Sequence, residues 1–225
     1  MKGCKYIILI LLFCLVSSCR NQPDNAPYKH FIGIDLSHHN SIADWSQLSV
    51  DFIYLKATEG TGWVDPKFQF RLSEACKWEI PVGAYHFMTT ASSAKDQFES
   101  FKAAVPKDKI DLIPVLDIER QSKGHLLSKK QLQQHVLEWC RSCKQYYGSY
   151  PIIYSSLGFY QQNFNGVLDH LMFWCGDVDA ALEYVNQKVW VLWQHEINEV
   201  AGVKGKIDIN LLNKEMQLSD IMLKK

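Results

Sequence analysis

The chain has 225 residues, 47% of them hydrophobic, enough to bury one sizeable core in a single domain. Its 24 basic and 24 acidic side chains cancel, which leaves no basic field for nucleic acid and no charge run that would make a solvated tail. Most of the 7 Trp, 10 Tyr and 11 Phe belong to the core, and a surplus at strand ends would suit stacking on sugar rings.

The first residues read as an address. Lys2 and Lys5 form a positive n-region, residues 6–16 are an apolar run too short to cross a bilayer, and Ser17 and Ser18 follow. Residues 1–18 are therefore expected to be a signal peptide. Val16-Ser17-Ser18-Cys19 resembles the lipobox of bacterial lipoproteins, in which Cys19 would be acylated and become the first mature residue. A plain signal peptide that happens to carry a cysteine here is the other reading. The expected localisation is thus outside the cytoplasm, anchored to a membrane through Cys19 and facing periplasm or cell surface. Residues 19–30, with Pro23, Asn25 and Pro27, read as a polar tether, and residues 31–225 as one globular domain.

From there short apolar runs alternate with longer amphipathic ones. Strands are expected over residues 31–36, 52–57, 80–87, 112–118, 151–155, 170–175, 189–194 and 206–209. Helices are expected over 65–78, 94–104 and 128–147, with a turn of helix around 44–48. In the third helix Leu132, Val136, Trp139, Cys140, Cys143 and Tyr147 recur at helical spacing, behind a Ser128/Gln131 capping box and before a Gly148 stop. Cys140 and Cys143 are spaced like half a zinc site or a redox pair, but this periodicity turns both thiols to the core. Strands alternating with helices imply a parallel sheet, and eight of them a (β/α) barrel. Only residues 196–205 separate the last two strands, which is short for a parallel crossover, so the last strands are expected to run antiparallel.

The run Ile113-Pro114-Val115-Leu116-Asp117-Ile118-Glu119 ends in two carboxylates one residue apart. On a strand they would share a face, about 6.5 Å from each other. Two acids that close repel, and the drier one has its pKa raised, a division of labour that glycoside hydrolysis uses. A strand running out into water would end in the same residues. The ends of the other strands add Asp35, Glu59, Tyr85 with His86, Tyr154, Trp174, Trp193 with Gln194, and Asp208, so that Asp35, Asp117, Glu119 and Asp208 could converge on one pocket.

In chain order, Gly33-Ile34-Asp35-Leu36-Ser37, Asp44-Trp45, Lys56-Ala57-Thr58-Glu59-Gly60, Gly83-Ala84-Tyr85-His86-Phe87, Asp117-Ile118-Glu119, Trp193-Gln194 and Asp208-Ile209-Asn210 resemble the successive motifs of glycoside hydrolase family 25. The resemblance covers about residues 31–215. It implies a modified TIM-like α/β barrel, five β/α units closed by three further strands. It implies a lysozyme of the N-acetylmuramidase type, hydrolysing the β-1,4 bond between N-acetylmuramic acid and N-acetylglucosamine in peptidoglycan. By the same resemblance Glu119 is the general acid. Asp117 orients the substrate's 2-acetamido group or stabilises the oxocarbenium-like transition state, and the charge of Asp35 and Asp208 holds Glu119 protonated toward neutral pH. Tyr85, His86, Tyr154, Trp193 and Gln194 are the implied substrate-binding residues, and Lys56 with Glu59 reads as an ion pair supporting the barrel mouth. No cofactor and no metal is called for. The expected partners are peptidoglycan glycan strands and, through Cys19, a membrane, with no nucleic acid and a monomeric chain.

Some residues depart from the family pattern. Asn40-Ser41 stands where Gln-Gly is common, Ala43 replaces a larger aliphatic residue, and Trp174-Cys175-Gly176-Asp177 replaces a Trp-x-Ala-x-Tyr pattern. These positions bear on sugar contacts rather than on the reaction. A chitinase-like barrel would want an acid where Val115 stands, and a metal hydrolase using His38, His39 or His86 lacks a His-x-His or His-Glu-x-x-His motif. A non-catalytic peptidoglycan-binding lipoprotein on the same barrel is the alternative from outside the enzymes.

Overall fold

In the computed structural model, which describes residues 31–119, 126–180 and 190–224, all eight expected strands are present. The expected signal peptide, Cys19 and the tether lie outside the described residues. In chain order the elements are β1 (Ile32–Leu36), the short β2 (Ser41–Ile42), β3 (Phe52–Glu59), the short β4 (Trp63–Val64), α1 (Phe68–Lys77), β5 (Val82–Phe87), α2 (Ala94–Ala104) and β6 (Val115–Asp117). Then follow α3 (Lys129–Tyr147), β7 (Ile152–Ser155), α4 (Leu157–Phe164), β8 (Phe173–Cys175), β9 (Trp190–Glu199), the short β10 (Val203–Lys204) and β11 (Lys206–Leu212). A 3-10 turn at Trp45–Gln47, capped by the Asp44 side chain, takes the place of a helix after β1.

The main strands run β1-β11-β9-β8-β7-β6-β5-β3 and close through a parallel β1–β3 pair. Five β/α units are thus completed by β8, β9 and β11, the architecture the family resemblance implied. The last two strands run antiparallel, as the short connection between them implied. β9 stays parallel to β8, and β11 alone is reversed, pairing antiparallel with both β9 and β1. Residues 176–189 are long enough for a crossover, whereas residues 200–205 allow only a tight return between β9 and β11.

α4 is an addition to the sequence reading. Leu157-Gly158-Phe159-Tyr160-Gln161-Gln162-Asn163-Phe164 is short and weakly patterned, yet the Ser156 hydroxyl caps the Phe159 N–H and Tyr160 and Phe164 are buried. α3 carries the capping box at Ser128 and Gln131, ends at Gly148 with φ of +84°, and buries both Cys140 and Cys143. Behind β5, Phe98 and Phe101 of α2 pack on Trp139 and Tyr147 of α3.

Aromatic rings fill the barrel interior beneath its mouth. A Cβ on Gly33 would run into the Phe52 ring, and one on Gly83 into the Tyr54 ring, so these glycines make room for the two side chains. Tyr54 packs against Trp174 with ring centroids 5.1 Å apart and donates its hydroxyl to the Ile113 carbonyl. This layer is the floor on which the candidate site rests.

Candidate active site

β6 places the central acids. Val115, Asp117 and Glu119 line one cavity of about 220 Å³ at the C-terminal mouth of the barrel. The period of two therefore carries past the strand end, where the Ile118 N–H still donates to the Tyr154 carbonyl at 2.9 Å. The two acids meet different surroundings. Asp117 is 8% exposed, whereas Glu119 is exposed at the rim and also borders a second, larger opening between the start of α4 and the loop after β8. Burial first, and then the Glu119 charge, push the Asp117 pKa well above the usual carboxylate range, while Lys56 pulls it down. The Asp117 Oδ1 is buried and has no hydrogen-bond partner among the described residues. Of the two acids, Asp117 is thus the drier, and its surroundings favour its protonated form.

Asp35, at the end of β1, lines the same cavity and accepts a hydrogen bond from the Asn210 side-chain amide at 2.9 Å. Burial and then the Asp208 charge push its pKa up to about 7. Asp208 itself, on β11, is half-buried and is not among the described residues lining the cavity. Burial raises its pKa and a hydrogen bond from Gln194 opposes the rise. Three of the four acids therefore share the cavity, and the fourth reaches it through Asp35.

Tyr85 and Tyr154 line the cavity as well, and the Tyr154 hydroxyl donates to the Gln194 Oε1 at 2.7 Å. Burial first, then Asp35 and Asp117, push the Tyr85 phenol well above its usual range, so it stays a neutral donor. Three of the implied substrate-binding residues, His86, Trp193 and Gln194, are not among the described residues lining the cavity, although Gln194 meets it through the Tyr154 hydroxyl. Alternation along β5 turns Tyr85 and Phe87 inward and His86 outward, where it is 0% exposed and stacks on Trp139 at 5.6 Å. Trp193 is next to Gln194 on β9 and so takes the opposite face, its indole N–H donating to the Asp177 carbonyl at 2.9 Å.

Trp174 is the tryptophan among the described residues that lines the cavity. Its indole N–H donates to the Asn210 Oδ1 at 3.1 Å, so Trp174, Asn210 and Asp35 form one hydrogen-bonded row across β8, β11 and β1. The sequence placed Trp174 at a strand end and Asn210 in the last motif, but a pairing across the closed barrel leaves no local trace. Gly176 explains one departure from the family pattern, because a Cβ there would lie 2.7 Å from the Tyr154 ring. Lys56 completes the lining, its ammonium 2.8 Å from the Glu59 carboxylate as the ion pair required.

The family model described as Glycosyl hydrolases family 25 matches residues 34–203. The protein YegX of Escherichia coli (strain K12) is 30% identical over 190 residues, which cover 80% of this chain and 69% of that protein. Lysozyme M1 of Streptomyces globisporus is 29% identical over 197 residues, covering 80% of this chain and 67% of that one. Among solved structures, the bacterial lysozyme from Streptomyces coelicolor is similar at a TM-score of 0.73 and 27% identity, over 86% of this chain and 95% of that chain. A family 25 glycosyl hydrolase from Bacillus anthracis has a TM-score of 0.73 at 26% identity, over 82% of this chain and 90% of that chain.

Proposed function

The chain belongs to glycosyl hydrolase family 25 and is a glycoside hydrolase, and on that premise we propose that it is a peptidoglycan lysozyme cutting the β-1,4 bond between N-acetylmuramic acid and N-acetylglucosamine. The observation that carries this reading is the pair at the end of β6: a buried carboxylate, Asp117, with an oxygen unpartnered among the described residues, beneath a rim carboxylate on the same face, Glu119.

A sugar seated over Asp117 brings its 2-acetamido N–H to the Oδ1, the donor that this oxygen lacks. Such a bond favours the ionised carboxylate, and an anion there steadies positive charge growing at the anomeric carbon. The same sugar shields the rim from water, and low polarity favours the proton-bearing form of Glu119 that must protonate the departing oxygen. Burial thus favours the protonated Asp117 in the free protein, and the bound glycan favours its ionised form. Tyr85 and Tyr154 offer hydroxyls to the sugar, and Trp174 offers ring surface.

The lipobox-like stretch before Cys19 supports a further part of the proposal, that the enzyme is exported and held on a membrane by lipid. Each acyl methylene contributes about 0.8 kcal/mol of membrane affinity, so several chains on one cysteine hold firmly. Digestion of purified peptidoglycan followed by mass spectrometry tests the bond assignment. Products ending in reducing muramic acid are expected. Reducing glucosamine ends would make the enzyme a glucosaminidase, and binding without new reducing ends would make it a glycan-binding protein.

A further inference from the structure

Lys56 and Glu59 make a contact that a regular strand forbids. Residues three apart on β3 should face opposite sides of the sheet, yet their charged groups are 2.8 Å apart. The cause is a slip in the pairing of β3 with β5. Lys56 is opposite Tyr85, but Thr58 is opposite His86, so Ala57 is an extra residue in the ladder. Strict alternation would put Thr58 beside Lys56 in the cavity. With the bulge, Thr58 turns to the helical layer and Glu59 turns inward to meet Lys56.

Behind the barrel a buried chain of side chains grips the bulge. The Gln97 amide is oriented by its Nε2 donating to the Thr89 and Ser92 carbonyls, at 2.8 and 3.0 Å, and by its Oε1 accepting from the Thr89 N–H at 3.0 Å. That Oε1 therefore accepts from the His86 Nε2–H at 3.1 Å. Burial keeps His86 neutral, its pKa pushed down to about 4, and with a proton on Nε2 its Nδ1 is an acceptor. The Thr58 hydroxyl, 2.8 Å away, donates to it, and both residues are 0% exposed.

We propose that Thr58, His86 and Gln97 form a positioning chain for the hydrolysis, locking the bulge at Ala57 from outside the barrel and so holding the Lys56 ammonium, with its Glu59 partner, in the cavity that Asp117 and Glu119 line. The inference rests on the roles given above to Asp117 and Glu119. The charged and titratable groups that face Asp117 are Glu119 beyond its own strand, Asp35 from β1, Lys56 and Glu59 from β3, Tyr85 from β5 and Tyr154 from β7. Lys56 is the one cation among these described groups. Its placement therefore sets how readily Asp117 ionises, and the Thr58 hydroxyl sets its placement.

The test compares Thr58→Val, which keeps the side-chain shape and removes the hydroxyl, with Thr58→Ser, which keeps the hydroxyl. Lys56→Met serves as the direct control. Titration of Asp117 followed by carboxyl carbon NMR should move upward by on the order of one pH unit in Lys56→Met. It should move in the same direction in Thr58→Val and remain at the wild-type position in Thr58→Ser. On peptidoglycan, the acid limb of kcat/KM should shift upward in Thr58→Val, with kcat lowered roughly tenfold and KM unchanged, the pattern of a contact made only in the transition state. His86→Gln, which also removes the acceptor for Thr58, should reproduce the shift and stands in if Thr58→Val does not fold. An Asp117 titration unmoved in Thr58→Val, or moved equally in Thr58→Ser, would overturn the proposal. An inactive wild-type protein would instead sink the muramidase reading, while the titrations would still decide the positioning chain.

Discussion

Asp117 and Glu119 are two residues apart, one enclosed and one at the rim, and different chemistry is asked of each. A general acid matters in proportion to how poor the leaving group is. Glu119→Gln should therefore lose roughly 10²- to 10⁴-fold on the natural glycan and recover much of that loss on an activated aryl glycoside of a chitooligosaccharide. Asp117→Asn should stay slow on both, since charge develops at the sugar whatever departs. Rescue of both variants alike, measured as kcat/KM on the two substrates, would reverse the assignment. Asp35 lends itself to a stability measurement. Its pKa rises from 3.8 to about 7 on folding, so between these values the native state keeps a proton that the unfolded chain has lost. Stability consequently falls as pH climbs through that window, and the loss is complete above it. Asp35→Asn retains an oxygen for the Asn210 amide but no charge, so its melting temperature should match the wild type near pH 3.5 and exceed it increasingly up to about pH 8. A constant difference across that range would remove Asp35 ionisation as the cause.

Among the elements, α3 shows what one-dimensional patterning can fix. Its cap, stop and buried face follow from spacing alone, and so does the orientation of Cys140 and Cys143. Because both thiols are buried, with pKa values raised mainly by that burial, Cys140→Ala and Cys143→Ala should keep full glycan cleavage. Each should lose about 1 kcal/mol in denaturant unfolding through a small cavity. Loss of turnover in a folded variant would point to a redox or metal role. The eight strands were legible for a similar reason: buried parallel strands are short apolar runs between polar segments. α4 was not, because eight residues with weak periodicity give little signal. The site divides along the same line. Asp35, Asp117 and Glu119 lie at strand ends that the sequence shows directly, whereas the outward turn of His86 and of Trp193 depends on which face each strand presents once the barrel has closed. The bulge at Ala57 is hidden for the same reason, since an extra residue in a ladder is visible only against its partner strand.

At the scale of the whole molecule, the catalytic domain is a closed barrel, and Cys19, the proposed site of acylation, precedes it by a polar stretch. Detergent phase partitioning should carry the full-length protein into the detergent, and Cys19→Ser should return it to the aqueous phase with hydrolytic activity intact. A wild-type protein that is already aqueous, with a free mature N-terminus, would end the lipoprotein proposal. The reversed strand β11 also fixes the order of events in time. It joins β9 to β1, and through it Asn210 meets Asp35 across 175 residues of chain. Contacts of such long separation form late in folding, because the entropy of closing the loop must be met before they contribute. Burial of the tryptophans should thus precede the appearance of turnover on refolding, and a ribosome-bound chain short of residues 206–212 holds Asp117 and Glu119 without the strand that closes the barrel. Because β11 is the strand that joins β9 to β1, the barrel that carries the acids is closed only once residues 206–212 have been added.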